Sequence, residues 1–547
     1  MGHPTKVQLI KRKKSEQWYI NFPAALAHAM EFVRGEVCEW FVEDKAHLLL
    51  ERTAAPGPRS KKKTPDSLLH QFHRLWNQCR DAFDQDRSWR RAEGLLLSQL
   101  VCLGRHTVTG LMCTQGRQLN DWSADYRFFS QERFSTEKIF AVVRRTILSA
   151  LSSDAPLIVA MDDSLLRKSG THIWGSGFRR DPLSPPFHTN LVRGQRVLQL
   201  SAALPGQSPE TPARMIPIDF VHAPTAIKPK KNAPPEAWDA YRQLQKQCNI
   251  SRQGAHRLKA LRAAVTADEH HSRRPLWGLA DGRFTNRTVL KDLPDRVTFI
   301  GRIRADAKLY HPPCPSPLPA KGRKRRYGLE APTPLELRQD ESVPWQTVRV
   351  FAAGQFHEVK VKTLSPVLWR AAGYDRPVRL VVIAPLAYRL RKGSRLLYRK
   401  PAYLICTDPD ADLTAIVQAY VWRWDIEVNF RDEKQLIGLG EAQVRTPAAV
   451  QTLSAFAVIA YALLLLAAAL TFGPNGLPQD LPTPKWRRRI VRHRASTAQL
   501  MNQLRYELWS QTLAPAHFSP FMNKEDADMK SKKFRPVLAA AVCYATV

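Results

Sequence analysis

Acidic residues are the first shortage. Against 83 Lys and Arg stand only 49 Asp and Glu, leaving a net charge of +34. A surplus of that size ranks acidic small substrates low and points to a polyanion, nucleic acid first and an anionic membrane second. Cysteine pairs are missing as well. Cys38, Cys79, Cys102, Cys113, Cys248, Cys314, Cys406 and Cys543 are scattered, with no C-x-x-C and no His-rich companion spacing, so neither a zinc site nor a disulfide framework is legible. The opening residues, MGHPTKVQLIKRKK, carry no apolar segment of the kind a secretory signal needs, and a reducing cytoplasmic location is expected. Disorder is excluded, because 44% hydrophobic and 9% aromatic residues can bury a sizeable core. At roughly 100–200 residues per domain, 547 residues imply three or four domains, an α+β multidomain chain.

Long apolar runs are scarce too, with one exception. LSAFAVIAYALLLLAAALTF, residues 453–472, is uncharged and long enough in principle to cross a bilayer. Alanine supplies much of it and favours insertion far less than Leu or Ile. A buried core helix is expected, and no membrane partner.

Residues 1–52 read as a small β-rich unit: a strand, a short helix, a turn at Arg34-Gly35, then two alternating strands around Glu43-Asp44. Through Phe22-Pro23-Ala24-Ala25-Leu26 and Arg34-Gly35-Glu36 the segment resembles the swapped-hairpin DNA-binding domain of AbrB-type transcription factors. That resemblance implies two interleaved chains; a plain β-rich cap with a solvated basic strand at Lys11 to Lys14 is the alternative. Residues 53–64, TAAPGPRSKKKT, read as a flexible charged linker. From 65 to 151 apolar residues recur at helical spacing with Arg and Lys on the outer faces, which predicts a helical DNA-binding region.

The stretch 152–305 supplies strand-like runs that deliver acids. PLIVAMDDSLL ends in Asp162-Asp163 and PLWGLADG ends in Asp281; RVLQLSAAL, MIPIDFVHA and RVTFIGRIRA are further strands. Residues 306–400 read as a β-rich insertion, and 401–472 return to the core with a helix that begins after PAYLICTDPD. At 100° per residue Tyr420, Arg423, Glu427 and Lys434 fall at about 0°, 300°, 340° and 320°, one helix face within an arc of about 60°. Glu433 lies about 220° from Tyr420, on another face. A solvated face with an ordinary i,i+4 pair between Arg423 and Glu427 would show the same spacing.

Tyr420-x2-Arg423-x3-Glu427-x6-Lys434 is similar to the Y-R-E-K signature of bacterial DDE transposases of the insertion-sequence-four family. The resemblance implies an RNase-H-like catalytic core with a β-rich insertion before the glutamate helix. It makes Glu427 the third acid of a D-D-E triad, and it implies that Tyr420, Arg423 and Lys434 grip DNA. Asp281 is the natural second acid. For the first, Asp162 and Asp163 are both candidates; MDDSLLRKSG is similar to the family segment in a way that aligns Asp162, and period-two alternation sends the two side chains to opposite faces. Phosphodiester cleavage of this kind uses two Mg²⁺ or Mn²⁺ ions, and hard divalent cations take carboxylate oxygen, so Asp162, Asp281 and Glu427 are the expected metal ligands.

Residues 473–547 turn basic at 485–489 and 492–494, like a DNA-binding tail; other basic runs occur at 228–231, 323–326 and 532–535. Trp369, Trp422 and Trp424 could stack on an unpaired base, though core packing is the expectation for each. The chain is thus read as a bacterial, nucleoid-associated transposase that cuts double-stranded DNA at terminal inverted repeats and joins it to target DNA, acting as a homodimer in the synaptic complex. An RNase-H-like nuclease or resolvase without strand transfer, and a non-catalytic DNA-binding regulator, are the alternatives.

Overall fold

The computed structural model describes residues 7–12, 15–20, 38–42 and 48–52 and, from 67 onward, all but 182–183, 186, 207–212, 315–324, 353, 389–392, 474–475, 479–480, 483, 485–493, 511–537 and 544–547. The chain divides into two compact units, Met1–Asp66 and Ser67–Val547. In the first, β1 (Val7–Arg12) and β2 (Ser15–Ile20) form an antiparallel hairpin with Val7 opposite Ile20, and β3 (Cys38–Val42) pairs with β4 (Leu48–Arg52) the same way. The motif positions 22–26 and 34–36, the 53–64 segment, and the basic runs at 485–489 and 532–535 lie outside the described residues.

The second unit begins with five helices: α1 (Leu68–Gln78), α2 (Asp86–Val101), α3 (Val108–Thr114), α4 (Ser123–Ser130) and α5 (Thr136–Ala150). Ser67, Thr107 and Ser135 cap α1, α3 and α5 by accepting a backbone N–H three residues on. Strands β5 (Leu157–Arg167), β6 (Gly177–Arg180), β7 (Leu191–Leu204) and β8 (Arg214–His222) follow, then α6 (Pro235–Gln247), α7 (Ile250–Thr266), β9 (Leu276–Ala280), the short α8 (Arg287–Leu290) and β10 (Val297–Arg302). Next come β11 (Leu309–Tyr310), β12 (Glu330–Ala331), α9 (Pro334–Gln339), β13 (Gln346–Ala352), β14 (Gln355–Trp369), β15 (Gly373–Ile383), β16 (Ala387–Tyr388), β17 (Leu397–Tyr398) and β18 (Ala402–Cys406). The chain continues through α10 (Leu413–Arg423), α11 (Asp425–Gln435), α12 (Pro447–Phe472), α13 (Thr497–Trp509) and α14 (Leu538–Cys543).

One mixed sheet organises this unit. Its inner order is β8-β7-β5-β9-β10, with β7 antiparallel to β5 and β8, and β5, β9 and β10 mutually parallel. β18 pairs antiparallel with β10 on one side and β15 on the other, so the β-rich 306–400 stretch continues the same sheet through β15, β14 and β11. Strands buried on both faces need cover on both. The near-continuous burial of β7 and β8 fits that demand.

The cover behind the sheet is α12. Its most apolar window is 94% buried; α1, α2, α4, α5 and β8 surround it. Phe456 meets Phe128, Phe129 and Phe134 edge-on at 5.9, 5.3 and 5.9 Å. The helical 67–151 region therefore packs its apolar faces onto residues three hundred positions away. Arg505 of α13 is buried and donates to Val101 O and Cys102 O, closing the carbonyl end of α2.

Beside it α11 lies against β8 and β5, and Tyr461 of α12 donates to its Asn429. Glu433, fully buried, accepts 3.0 Å from Gln199 Nε2 while its Oε2 has no partner, and burial pushes its carboxyl up to about 8.

Two outcomes test this packing. Leu463→Ala, at a fully buried site of α12, should cost about 2–5 kcal/mol of stability by denaturant titration; a change within error would mean that α12 is not the core helix. Because folding raises the Glu433 carboxyl from its ordinary value of 4.5 to about 8, the native state holds the extra proton in that window, and stability falls as pH rises through it. Glu433→Gln should flatten that slope and melt higher than the native chain above pH 8. An unchanged pH slope would remove the buried carboxyl from the account.

Candidate active site

β9 ends at Ala280, paired with Met161 of β5, while β5 runs on to Arg167 beside β7. The next residues on the two parallel strands are Asp162 and Asp281. They stand side by side where one strand leaves the sheet and the other continues, at the carboxyl end of parallel strands where clefts open in such sheets. Asp162 is thus inside its strand, whereas the sequence suggested an acid at a strand end. Both line a cleft of about 440 Å³ together with Asp163, Arg179, Arg196 and Arg283.

Period-two alternation decides which way each acid faces. Asp162, Ser164 and their neighbour Gln199 present to α10 and α11: Arg423 Nη1 lies 3.5 Å from Asp162 Oδ2, Lys434 Nζ donates to Ser164 Oγ at 2.6 Å, and Gln199 meets Glu433. Asp163 faces the other way. Arg283 Nη1 donates to both its oxygens at 3.0 and 2.8 Å, and Arg196 Nε lies 3.5 Å away.

The electrostatics differ accordingly. Burial, then the Asp281 charge, push the Asp162 carboxyl up to about 7, against the pull of Arg423. Burial also raises Asp163, while Arg283 and Arg196 oppose the shift. Arg283 N caps Asp281 Oδ1 at 2.9 Å, and Thr285 N and Oγ1 hold Asp281 O, fixing the loop after β9.

Glu427 joins through a guanidinium. Arg423 Nη2 donates to Glu427 Oε1 at 3.1 Å while Nη1 faces Asp162, so the i,i+4 pair is present and is also half of a bridge to the first acid. Tyr420 is half-buried, its ring 5.4 Å from the Arg423 guanidinium; burial raises its hydroxyl, and the Arg423 and Arg302 charges pull it back. Burial lowers the Lys434 ammonium.

The signature residues come from two helices, where the sequence predicted one. At Trp424 the hydrogen bonds shorten to i→i+3, from Trp424 N to Val421 O and from Glu427 N to Trp424 O. Asp425 accounts for the step: its carboxylate is held by Arg494 at 2.8 and 2.6 Å and accepts Met215 N at 3.0 Å, which pulls the start of α11 toward β8. Trp424 is left 61% exposed at the joint, against the expectation of core packing; Trp369 and Trp422 do pack against the core.

Asp162, Asp281 and Glu427 offer hard carboxylate oxygens, and Asp162 is buried beside the Asp281 charge, both of which disfavour its charged form. That donor set fits a divalent cation such as Mg²⁺ or Mn²⁺. Among the described residues no three His, Cys, Asp or Glu side chains are gathered closely enough to hold one directly. Glu427 is one guanidinium away, so completing the set requires Arg423 to give up one of its two acids. Sequence reasoning missed Arg179, Arg196, Arg283 and Arg302. Arg283, two residues after Asp281, carries a local signal; Arg196 and Arg302 sit in apolar strand-like runs that signal burial, and Arg179 lies in a stretch with no periodic pattern.

No curated protein matches the chain. A family model described as DDE superfamily endonuclease matches residues 79–375, a span that takes in Asp162 and Asp281 and stops short of α10 and α11. The match covers more than half of the 547 residues, and the chain belongs to the DDE superfamily endonucleases.

Proposed function

We propose that this endonuclease is a transposase of the insertion-sequence-four type: it cuts double-stranded DNA at the terminal inverted repeats of an element and joins the freed 3′ hydroxyl to target DNA. The observation that carries the reading is the Arg423 bridge from Asp162 to Glu427, with Asp281 beside Asp162. The strand order β8-β7-β5-β9-β10 supports an RNase-H-like core, and β11 to β15, lying between β10 and α10, support the reading of an insertion there. Two Mg²⁺ or Mn²⁺ ions, when bound, would activate the attacking water or hydroxyl and neutralise the leaving oxygen. Asp162, Asp281 and Glu427 would hold them once Arg423 releases a carboxylate.

The other side chains act on the DNA. Arg423, whose Nε and Nη1 have no hydrogen-bond partner among the described residues beyond the 3.5 Å ion pair of Nη1 with Asp162, takes the scissile phosphate as it releases a carboxylate. Tyr420 donates to the same phosphate group, and Lys434, held by Ser164, meets a neighbouring one. Asp163 stays paired with Arg283 and Arg196 and serves the site as a structural anion. Each joining step exchanges one phosphodiester for another, so no nucleotide energy source is consumed. The two hairpins within residues 1–52 support an AbrB-like domain, and Val7, Ile10 and Trp18, exposed on one of them, support a homodimer in which a second chain covers them. A nuclease that cuts without joining shares the cutting step; pre-cut ends incubated with Mg²⁺ and target DNA yield joined products only under the transposase reading.

Glu427→Gln should keep binding to end DNA and lose cleavage by several orders of magnitude in a gel assay with Mg²⁺. Unchanged cleavage would falsify the triad. Asp162→Asn should be as inactive, while Asp163→Asn, which loses only ion pairs with two arginines, should retain measurable cleavage. Equal, mild losses from the two would overturn the choice of first acid.

A further inference from the structure

Helix α7 has two unlike faces. Leu258, Leu261 and Val265 are buried, and at Gly254 the helix backbone comes so close to Met161 and Phe284 that an added Cβ would stand 2.9 and 3.0 Å from their side chains. Met161 precedes Asp162, and Phe284 belongs to the loop after Asp281, so α7 is seated against the base of the cleft. A second tie joins the same loop: Asn286 Nδ2 donates to Ser251 Oγ at 2.9 Å and to Arg283 O at 2.6 Å.

The outer face is cationic. Arg252, His256 and Lys259 fall at about 0°, 40° and 340° round the helix, within one arc of about 60°. With Arg287 and Lys291 from α8 and its C-terminal end they line a groove of about 500 Å³ whose one lining acid is Asp292. All five side chains are exposed, and none forms a salt bridge among the described residues. Four fixed positive charges and an imidazole converging around a single carboxylate repel one another, a cost that a polyanion lying in the groove reduces. Duplex DNA carries one phosphate charge per 1.7 Å or so of its axis and matches such a row.

We propose that the groove between α7 and α8 grips the phosphate backbone of the duplex that extends from the cleavage site, without reading its sequence. The proposal rests on the DNA-cutting reading above and adds to it the path of the DNA: from the Asp162–Asp281 cleft, over the 281–286 loop, along α7. The contacts are to phosphates, so they fix position and supply affinity while leaving specificity to other parts of the chain.

The test is fluorescence anisotropy with the full chain and a labelled duplex of arbitrary sequence, titrated at several salt concentrations. Arg252→Gln, Lys259→Gln and Lys291→Gln combined should weaken binding at least about tenfold at low salt and make the log–log salt dependence shallower by close to three phosphate contacts, ~0.9 each. An equal loss of charge elsewhere, Lys228→Gln, Lys230→Gln and Lys231→Gln combined, should move the slope by less than one contact. A salt slope unchanged in the groove variant, or reduced equally in the control, overturns the proposal. Both variants should melt like the native chain, which separates lost contacts from lost fold. Should the native chain cut no DNA while the groove variant still loses its slope, the cleavage reading fails and the groove stands; should cutting be intact and the slope unmoved, the groove alone fails.

Discussion

The arrangement turns on one buried guanidinium. Arg423 reaches Asp162 at 3.5 Å and Glu427 at 3.1 Å from a position only 8% exposed. Without it, α10 and α11 would press a third carboxylate toward Asp162, whose proton affinity burial and the Asp281 charge already raise. A buried arginine needs carboxylates as much as they need it, since either partner left alone out of water costs several kcal/mol. Closing helices over sheet and assembling the site are therefore one event.

Rigidity comes from behind. Asp425 is clamped by Arg494 and Met215 N, Asn429 donates to Ser201 Oγ and Met215 O, and Glu433 meets Gln199, so one face of α11 is stitched to β7 and β8 before Glu427 is reached. Below them α12 fills the core against helices from the first third of the unit. The step at Trp424 is the consequence: α10 follows the first acid and α11 follows the anchor, and the backbone tightens between them.

Much of this was legible along the chain. Helical spacing puts Tyr420, Arg423, Glu427 and Lys434 on one face, and Arg423 and Lys434 do reach Asp162 and Ser164 of β5, because helical periodicity survives a single tightened turn. The same spacing turns Glu433 elsewhere, and it is buried against Gln199. Composition makes the 453–472 run a core helix, and α1, α2, α4 and α5 enclose it. Trp424 went the other way, since its exposure depends on where the two helices part. The arginines around Asp163 were unreadable for a different reason: Arg179, Arg196 and Arg283 come from separate strands and a loop, and only sheet pairing makes them neighbours.

By itself the sequence determined the chemistry available: a basic chain, carboxylates delivered by apolar strands, and a helical face with fixed spacing. These follow from local rules of charge and period, which act within a few residues. Only the tertiary structure decided that Asp162 and not Asp163 turns toward α10, that Glu427 meets the first acid through Arg423, and that α7 is seated against Met161 and Phe284. Those relations join residues more than a hundred positions apart, and strand register and close packing set them, neither of which a linear pattern encodes.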